Sequence, residues 1–213
     1  MRIGLEKELW LLGTDGKPLI IPPSIPHDDC GLLVEARGKA CGDVTEAVYS
    51  LMADEARIRQ QVAIQADLPN NPLRHVTLDD SPIQRIDRRT EIEVQRNYAK
   101  GTIRWQNIYG IRLPSNRRGT MTAAIHVSFT YPMTTEPNGV TVNKMFDFVT
   151  LFRGLDIVFA DEIRAAGRKP GFYEIKDDGR IEYRSLPANV SCETLIKKLT
   201  LVLSNPWGQW DRF

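Results

Sequence analysis

Apolar and polar residues alternate over four short stretches of this chain. They are Ile3-Gly4-Leu5-Glu6-Lys7-Glu8-Leu9-Trp10, Leu32-Leu33-Val34-Glu35-Ala36-Arg37, Ala124-Ile125-His126-Val127-Ser128-Phe129 and Arg180-Ile181-Glu182-Tyr183-Arg184-Ser185-Leu186. A period of two predicts half-buried β-strands, in which alternate side chains share a face. Glu6 and Glu8 therefore point the same way, as do Glu35 and Arg37, and Glu182 and Arg184. If the strands share one sheet, carboxylates, an imidazole and guanidiniums gather on its polar face.

Helical spacing takes over elsewhere. Asp43 is placed to cap a helix reaching about Ala66, with Val44, Ala47, Val48, Leu51, Ile58 and Val62 on one side. A second helix is expected from about Val142 to Ala166. Its apolar side runs through Val142, Met145, Phe146, Val149, Phe152, Val158, Phe159 and Ile163, and Gly167 is placed to end it. Ser191 is placed to cap a third helix, to Leu203. Asp15-Gly16 marks a turn after the first strand, and Pro22, Pro23 and Pro26 stiffen the loop that ends at Asp28-Asp29. Asp178-Gly179 predicts a hairpin joining Gly171–Lys176 to Arg180–Leu186. From Leu73 to Thr120 the chain is rich in arginine, and only a short strand near Thr102–Gln106 is expected among loops. The tail from Asn205, with Trp207 and Trp210, is expected to dock on the body.

A chain of 213 residues can bury a full core, and no repeat or long linker divides it. The order of elements predicts one α+β domain over residues 1–213, an antiparallel sheet packed on helices. A net charge of +1 provides no general attraction to nucleic acid or membrane. Cys30, Cys41 and Cys192 are odd in number, lack CxxC spacing and read as reduced thiols. Charges at Arg2, Glu6, Lys7 and Glu8 break up any secretory signal. Asp147, Arg153 and Asp156 argue against a membrane span in Met145–Ala160. A cytoplasmic protein is the expectation.

Glu6-Lys7-Glu8, Asp28 then Glu35, His126 in Ala-Ile-His-Val, and Glu182-Tyr183-Arg184 occur in that order. Together they resemble the active-site strands of the glutamine synthetase and glutamate–cysteine ligase superfamily. Gly179-Arg180-Ile181-Glu182-Tyr183-Arg184-Ser185-Leu186-Pro187 is similar to its short, phage-type carboxylate–amine ligases. The resemblance covers Ile3 to Pro187 at scattered motifs. It implies a glutamine synthetase-like catalytic domain, a curved and mostly antiparallel sheet against helices. The implied activity is ATP-dependent amide or peptide bond formation through an acyl phosphate, with Mg²⁺ or Mn²⁺ held by strand carboxylates.

By that resemblance Glu6 and Glu8 would each ligate a different metal, and Glu35 with Asp28 would complete the substrate-side site. His126 and Glu182 would join Glu6 on the ATP side, and Arg184 would contact the transferring phosphoryl group. Arg37 shares the face of Glu35 and is a candidate for holding a substrate carboxylate or phosphate. Asp29 rivals Asp28. The partners implied are small-molecule, amino-acid or peptide substrates and, as in many superfamily relatives, further copies of the chain. Neither membrane nor nucleic acid is the expected partner.

Each motif also has a plainer meaning. Glu-x-Glu is common on solvated strand faces, a lone strand histidine is often just hydrogen-bonded, and Glu182 with Arg184 can be a simple ion pair. The arginines between Arg74 and Arg118 can pair with Asp79, Asp80, Asp87, Glu91 and Glu93, or hold phosphates. Tyr98, Trp105, Tyr109 and Trp207 are candidates for stacking on adenine or for core packing. Cys30 beside Asp28 is disfavoured as a thiolate. A metal-dependent nuclease is a second function to weigh. Asp28 or Asp29 before Glu35-Ala36-Arg37, and Glu174-Ile175-Lys176, loosely match an acid-then-Glu-x-Lys arrangement, but a nuclease leaves Glu6, Glu8, His126 and Glu182 without roles. A catalytically silent nucleotide-binding relative is a third.

Overall fold

The computed structural model of the chain describes residues 1–28, 30–67, 73–98, 105–111, 119–130, 134–135, 141–142 and 147–205. It is an α+β fold built on a seven-stranded antiparallel sheet. β1 (Arg2–Leu12) lies between β2 (Leu33–Arg37) and β7 (Ala124–Thr130). Beyond β7 come β11 (Ile181–Pro187), β10 (Phe172–Ile175) and the short β5 (Gln106–Asn107), while β3 (Thr77–Asp79) pairs with the far end of β1.

Alternation along the strands divides the sheet into two faces. Leu5, Leu9, Leu11, Val34, Ala36, Ile125, Val127, Phe129 and Tyr183 point into the main core. They meet α1 (Val44–Ala66) through Val48, Leu51 and Ile58, α3 (Phe148–Val158) through Phe152 and Leu155, and α5 (Cys192–Ser204) through Leu195 and Leu199. Burying each leucine, valine, isoleucine or phenylalanine among them contributes roughly 1.5–3 kcal/mol. Lys7 is the polar exception on this face. Its ammonium lies 3.2 Å from Glu55 of α1 and 3.1 Å from Asp80, so the buried charge is paired.

The helix ends follow local chemistry. Asp43 Oδ1 accepts from the Glu46 amide at 3.0 Å, and Ser191 Oγ accepts from the Thr194 amide at 3.2 Å. The helix expected over Val142–Ala166 begins instead at Phe148, where Asp147 Oδ1 caps Thr150 N at 3.1 Å. Val142 falls in a strand, because the β-branched pair Thr141–Val142 (β9) finds Thr134–Thr135 (β8) as its partner. The helix is also interrupted at Phe159, between α3 and α4 (Ala160–Ala165), although Ile163 N still bonds to Phe159 O at 3.0 Å. Gly167, at φ +62°, ends α4, with its own amide on Arg164 O and that of Arg168 on Ile163 O. Asp178-Gly179 closes the β10–β11 hairpin, with Gly179 at φ +82°.

Among its described residues the arginine-rich stretch forms elements where loops were expected. It contains β3, β4 (Ile83–Arg85) paired with β6 (Thr120–Thr122), and α2 (Arg88–Tyr98). Of the expected strand at Thr102–Gln106, residues 102–104 lie outside the described residues, and Gln106 opens β5. The docking expected of Trp207 and Trp210 also falls outside them. Val94 of α2 and Ile86 join Trp10, Leu33 and Ala188 in a second apolar cluster. Trp10 and Leu33 share their strand faces with Glu8 and Glu35, so α2 covers one end of the polar face. Among the described residues no helix is long and apolar enough to cross a membrane.

Gly38, just after β2, packs directly against the backbone of α1. A Cβ there would lie 2.9 Å from Leu51 N and 3.2 Å from Ala47 O, both backbone atoms of α1. Gly38→Ala is expected to lower stability by roughly 1–3 kcal/mol in urea denaturation, the usual effect of overpacking.

Candidate metal and anion site

The strand register brings the polar side chains together. Glu6 of β1 stands opposite both Arg37 of β2 and His126 of β7, and Glu8 stands opposite Glu35. Glu182 of β11 stands opposite Ser128 on one side and Glu174 of β10 on the other. Because each antiparallel neighbour keeps side chains in phase, five strands contribute to one polar face.

His126 lies at its centre, only 3% exposed. Its Nδ1 is 3.7 Å from Glu6 Oε2 and 3.6 Å from Glu182 Oε1, and its Nε2 is 3.5 Å from Glu8 Oε1. Nδ1 is buried and has no hydrogen-bond partner among the described residues. One ligand atom each from Glu6, Glu35 and His126 lie within 4.8 Å of one another. Glu8 turns its other oxygen to the amide of Ala124 at 2.7 Å. Arg37 donates to Glu35 at 2.6 Å and reaches within 3.8 Å of Glu6.

Asp28 is oriented differently. Its carboxylate accepts from the Cys30 thiol at 2.7 Å and from the Leu33 amide at 3.2 Å, so it braces the turn into β2. It still lies close enough to Glu8 and Glu35 to add to the negative field. Burial and that carboxylate push the Cys30 thiol far up, which keeps it an inert donor. Asp29 lies outside the described residues.

The β11 side of the face is an ion-pair network. Glu182, fully buried, accepts from Ser128 Oγ at 3.2 Å and from Arg184 Nη1. Arg184 also donates to Glu174 at 3.1 Å, and Lys176 lies 3.0 Å from Glu174 and 3.5 Å from Glu182. Trp105 does not stand free as a stacking platform. Its ring carries the Arg184 guanidinium, with Cζ 4.8 Å from the ring centroid. Tyr109 likewise spends its hydroxyl on Asp156, at 2.9 Å.

Glu174, Lys176 and Arg168 join the site although the strand motifs do not include them. Glu174 and Lys176 carry a legible signal, since they flank Ile175 at the end of β10, where Glu174 pairs with Glu182. Arg168 carries none, because its partners are backbone carbonyls. A bulge in β11 sets Tyr183 to Leu186 against Val127 to Ile125. Arg168 fills it, donating to the carbonyls of Arg184 at 2.7 Å, Ser185 at 3.0 Å and Ala123 at 3.3 Å.

Crowding of acids away from water changes their protonation. Burial pushes Glu8 up to about 8; Arg184 counters this, while Asp28 and Glu35 add to it. Burial, with Glu6 beside it, raises Glu35 to about 7 against the pull of Arg37. Burial and Arg184 hold His126 well below the ordinary imidazole range, so the ring is neutral and keeps a lone pair to offer. Buried carboxyl groups around a neutral imidazole with an unused nitrogen form a donor set suited to a divalent cation. No family model, curated protein or solved structure matches this chain.

Raised carboxyl values mean that the folded state binds more protons than the unfolded chain between the ordinary carboxylate range and about pH 8. Stability is therefore lost as pH rises through that window. His126 acts in the opposite sense, and its contribution is lost as pH falls below about 6.5, the ordinary imidazole value. Above about pH 6.5 the carboxyl effect acts unopposed by His126. Metal-free protein is expected to lose up to about 1.4 kcal/mol per pH unit per group from there to about pH 8, read from urea midpoints. Glu8→Gln should flatten the slope. Mn²⁺ should stabilise more at about pH 8 than at about pH 6.5, since binding competes with protons.

Proposed function

We propose that this chain is an ATP-dependent carboxylate–amine ligase of the glutamine synthetase-like kind, using Mg²⁺ or Mn²⁺. The observation that carries this is the buried Nδ1 of His126, without a hydrogen-bond partner among the described residues and within 3.7 Å of carboxylate oxygens from Glu6 and Glu182. A buried polar atom left without a hydrogen bond is costly, and a cation shared with those carboxylates would satisfy it.

Glu6, Glu8, Glu35, His126 and Glu182 would hold the metal, with Asp28 supporting the β2 side through its turn and its charge. When bound, the metal neutralises polyphosphate charge during phosphoryl transfer. The chain's own cations do the rest. Arg184, with its guanidinium plane set by Trp105, Glu174 and Glu182, would meet the γ-phosphoryl group as it moves from ATP to the substrate carboxylate, releasing ADP. Arg37, 62% exposed beside Glu35, would hold the acid substrate at the other end of the face. The amine then displaces phosphate from the acyl phosphate, forming the amide. Lys176 and Arg168 would offset the negative charge that accumulates on this face.

A nuclease would use Asp28, Glu35 and a nearby basic group. Here Asp28 faces Cys30 and Leu33, and the cluster includes Glu6, Glu8, His126 and Glu182, so the observations favour the ligase.

Calorimetry of ATP with Mg²⁺, and separately with EDTA, tests the proposal. Wild type should bind only with the metal, and Glu6→Gln and Glu182→Gln should lose that binding while keeping their circular dichroism. ADP release should then require both an acid and an amine. Absence of ATP binding in both conditions would sink the ligase and turn attention to strand cleavage. Arg184→Lys should slow ADP formation about a hundredfold, because a point charge cannot replace a planar donor pair.

A further inference from the structure

Arg184 is the cation on which phosphoryl transfer would turn, and its surroundings are unusually constrained. Its side chain is 13% exposed. Glu182 and Glu174 both accept from Nη1 of the guanidinium, and the Trp105 ring takes its face. A planar cation anchored at one nitrogen and stacked on one face has its plane restricted, which favours bidentate recognition of a phosphoryl group.

Trp105 is itself held at a distance. Beside it, Gln106 accepts from the Tyr173 hydroxyl at 2.6 Å and pairs with β10. Asn107 donates to Pro170 O at 2.7 Å and accepts from the amide of Tyr109 at 2.8 Å. Tyr109 then donates to Asp156, a buried carboxylate of α3, on the opposite side of the sheet from Arg184. Asp156 also accepts from Tyr183, which sits between Glu182 and Arg184 on β11 but faces the helices, and from the Gly171 amide at 2.9 Å. Gly171 adopts φ +76°, and a Cβ there would lie 2.7 Å from the Tyr109 ring. One carboxylate thus ties β11, the start of β10 and the Trp105 segment together.

We infer that Trp105 is a positioning residue for Arg184, and that Asp156, acting through Tyr109, holds it there from the helical side of the sheet. What Arg184 then grips rests on the ligase proposed above; the clamp itself does not. Tyr109→Phe removes one hydroxyl and keeps the ring, so the fold is preserved. Trp105→Leu removes the stack.

The test follows the side-chain Nε–H signal of Arg184 in ¹⁵N-labelled protein, assigned by its loss in Arg184→Lys. In wild type the indole should displace this signal upfield, and both variants should return it toward the position of an exposed arginine. Mn²⁺ affinity should stay within about twofold, and ATP affinity with Mn²⁺ should fall about five- to tenfold, the scale of a lost cation–π contact. An Arg184 signal unmoved in Trp105→Leu overturns the stack, and one unmoved in Tyr109→Phe overturns the clasp. A parallel fall in Mn²⁺ affinity also overturns the inference, because the defect would then be general. A displaced signal released by both variants in a protein that never binds ATP supports the clamp and sinks the ligase instead.

Discussion

Glu8, Glu35 and Glu182 are buried around one neutral imidazole, and the rest of the structure has to offset that burial. Like charges removed from water repel strongly, and they persist only where neighbours offset them or protons remain bound. Both happen here. Arg184, Arg37, Lys176 and Arg168 ring the acids, while Glu8 and Glu35 keep their protons toward neutral pH. The opposite face of the same strands, packed on α1, α3 and α5, supplies the apolar burial that offsets the unfavourable site.

Two devices transmit rigidity from the core to the polar face. Asp156 gathers two tyrosine hydroxyls and a glycine amide behind the sheet, and so ties Tyr183, the neighbour of Arg184, to the start of β10 and to the segment at Tyr109. Arg168 satisfies carbonyls that the β11 bulge leaves outside the ladder, including that of Arg184 itself. Both restrict how far Glu182 and Arg184 can drift.

Much of the framework was legible along the chain. Alternation marked β1, β2, β7 and β11, and Asp43 and Ser191 marked the starts of α1 and α5, because strand faces and helix caps depend on residues a few positions apart. The region from Leu73 to Thr120 was not legible. Among the described residues its strands are three residues or fewer, and Val94 is the buried side chain of α2, too short a pattern for periodicity to reveal. The expected helix from Val142 began late because the partner of Thr141–Val142 is a second strand, and strand pairing is invisible to helical spacing.

Sequence alone determined which side chains share a face, since a period of two is a property of each strand by itself. It also supplied the residue types from which Glu6, Glu35, His126 and Glu182 could be suspected of holding a cation. Tertiary structure decided which strands are neighbours and in what register. That placed His126 opposite Glu6, left its Nδ1 without a hydrogen-bond partner among the described residues, turned Asp28 toward Cys30 and laid Trp105 on Arg184. The physical reason is range. Alternation and capping act within a few residues, whereas register, bulge and clasp join residues tens of positions apart, and only the packed core brings those within reach.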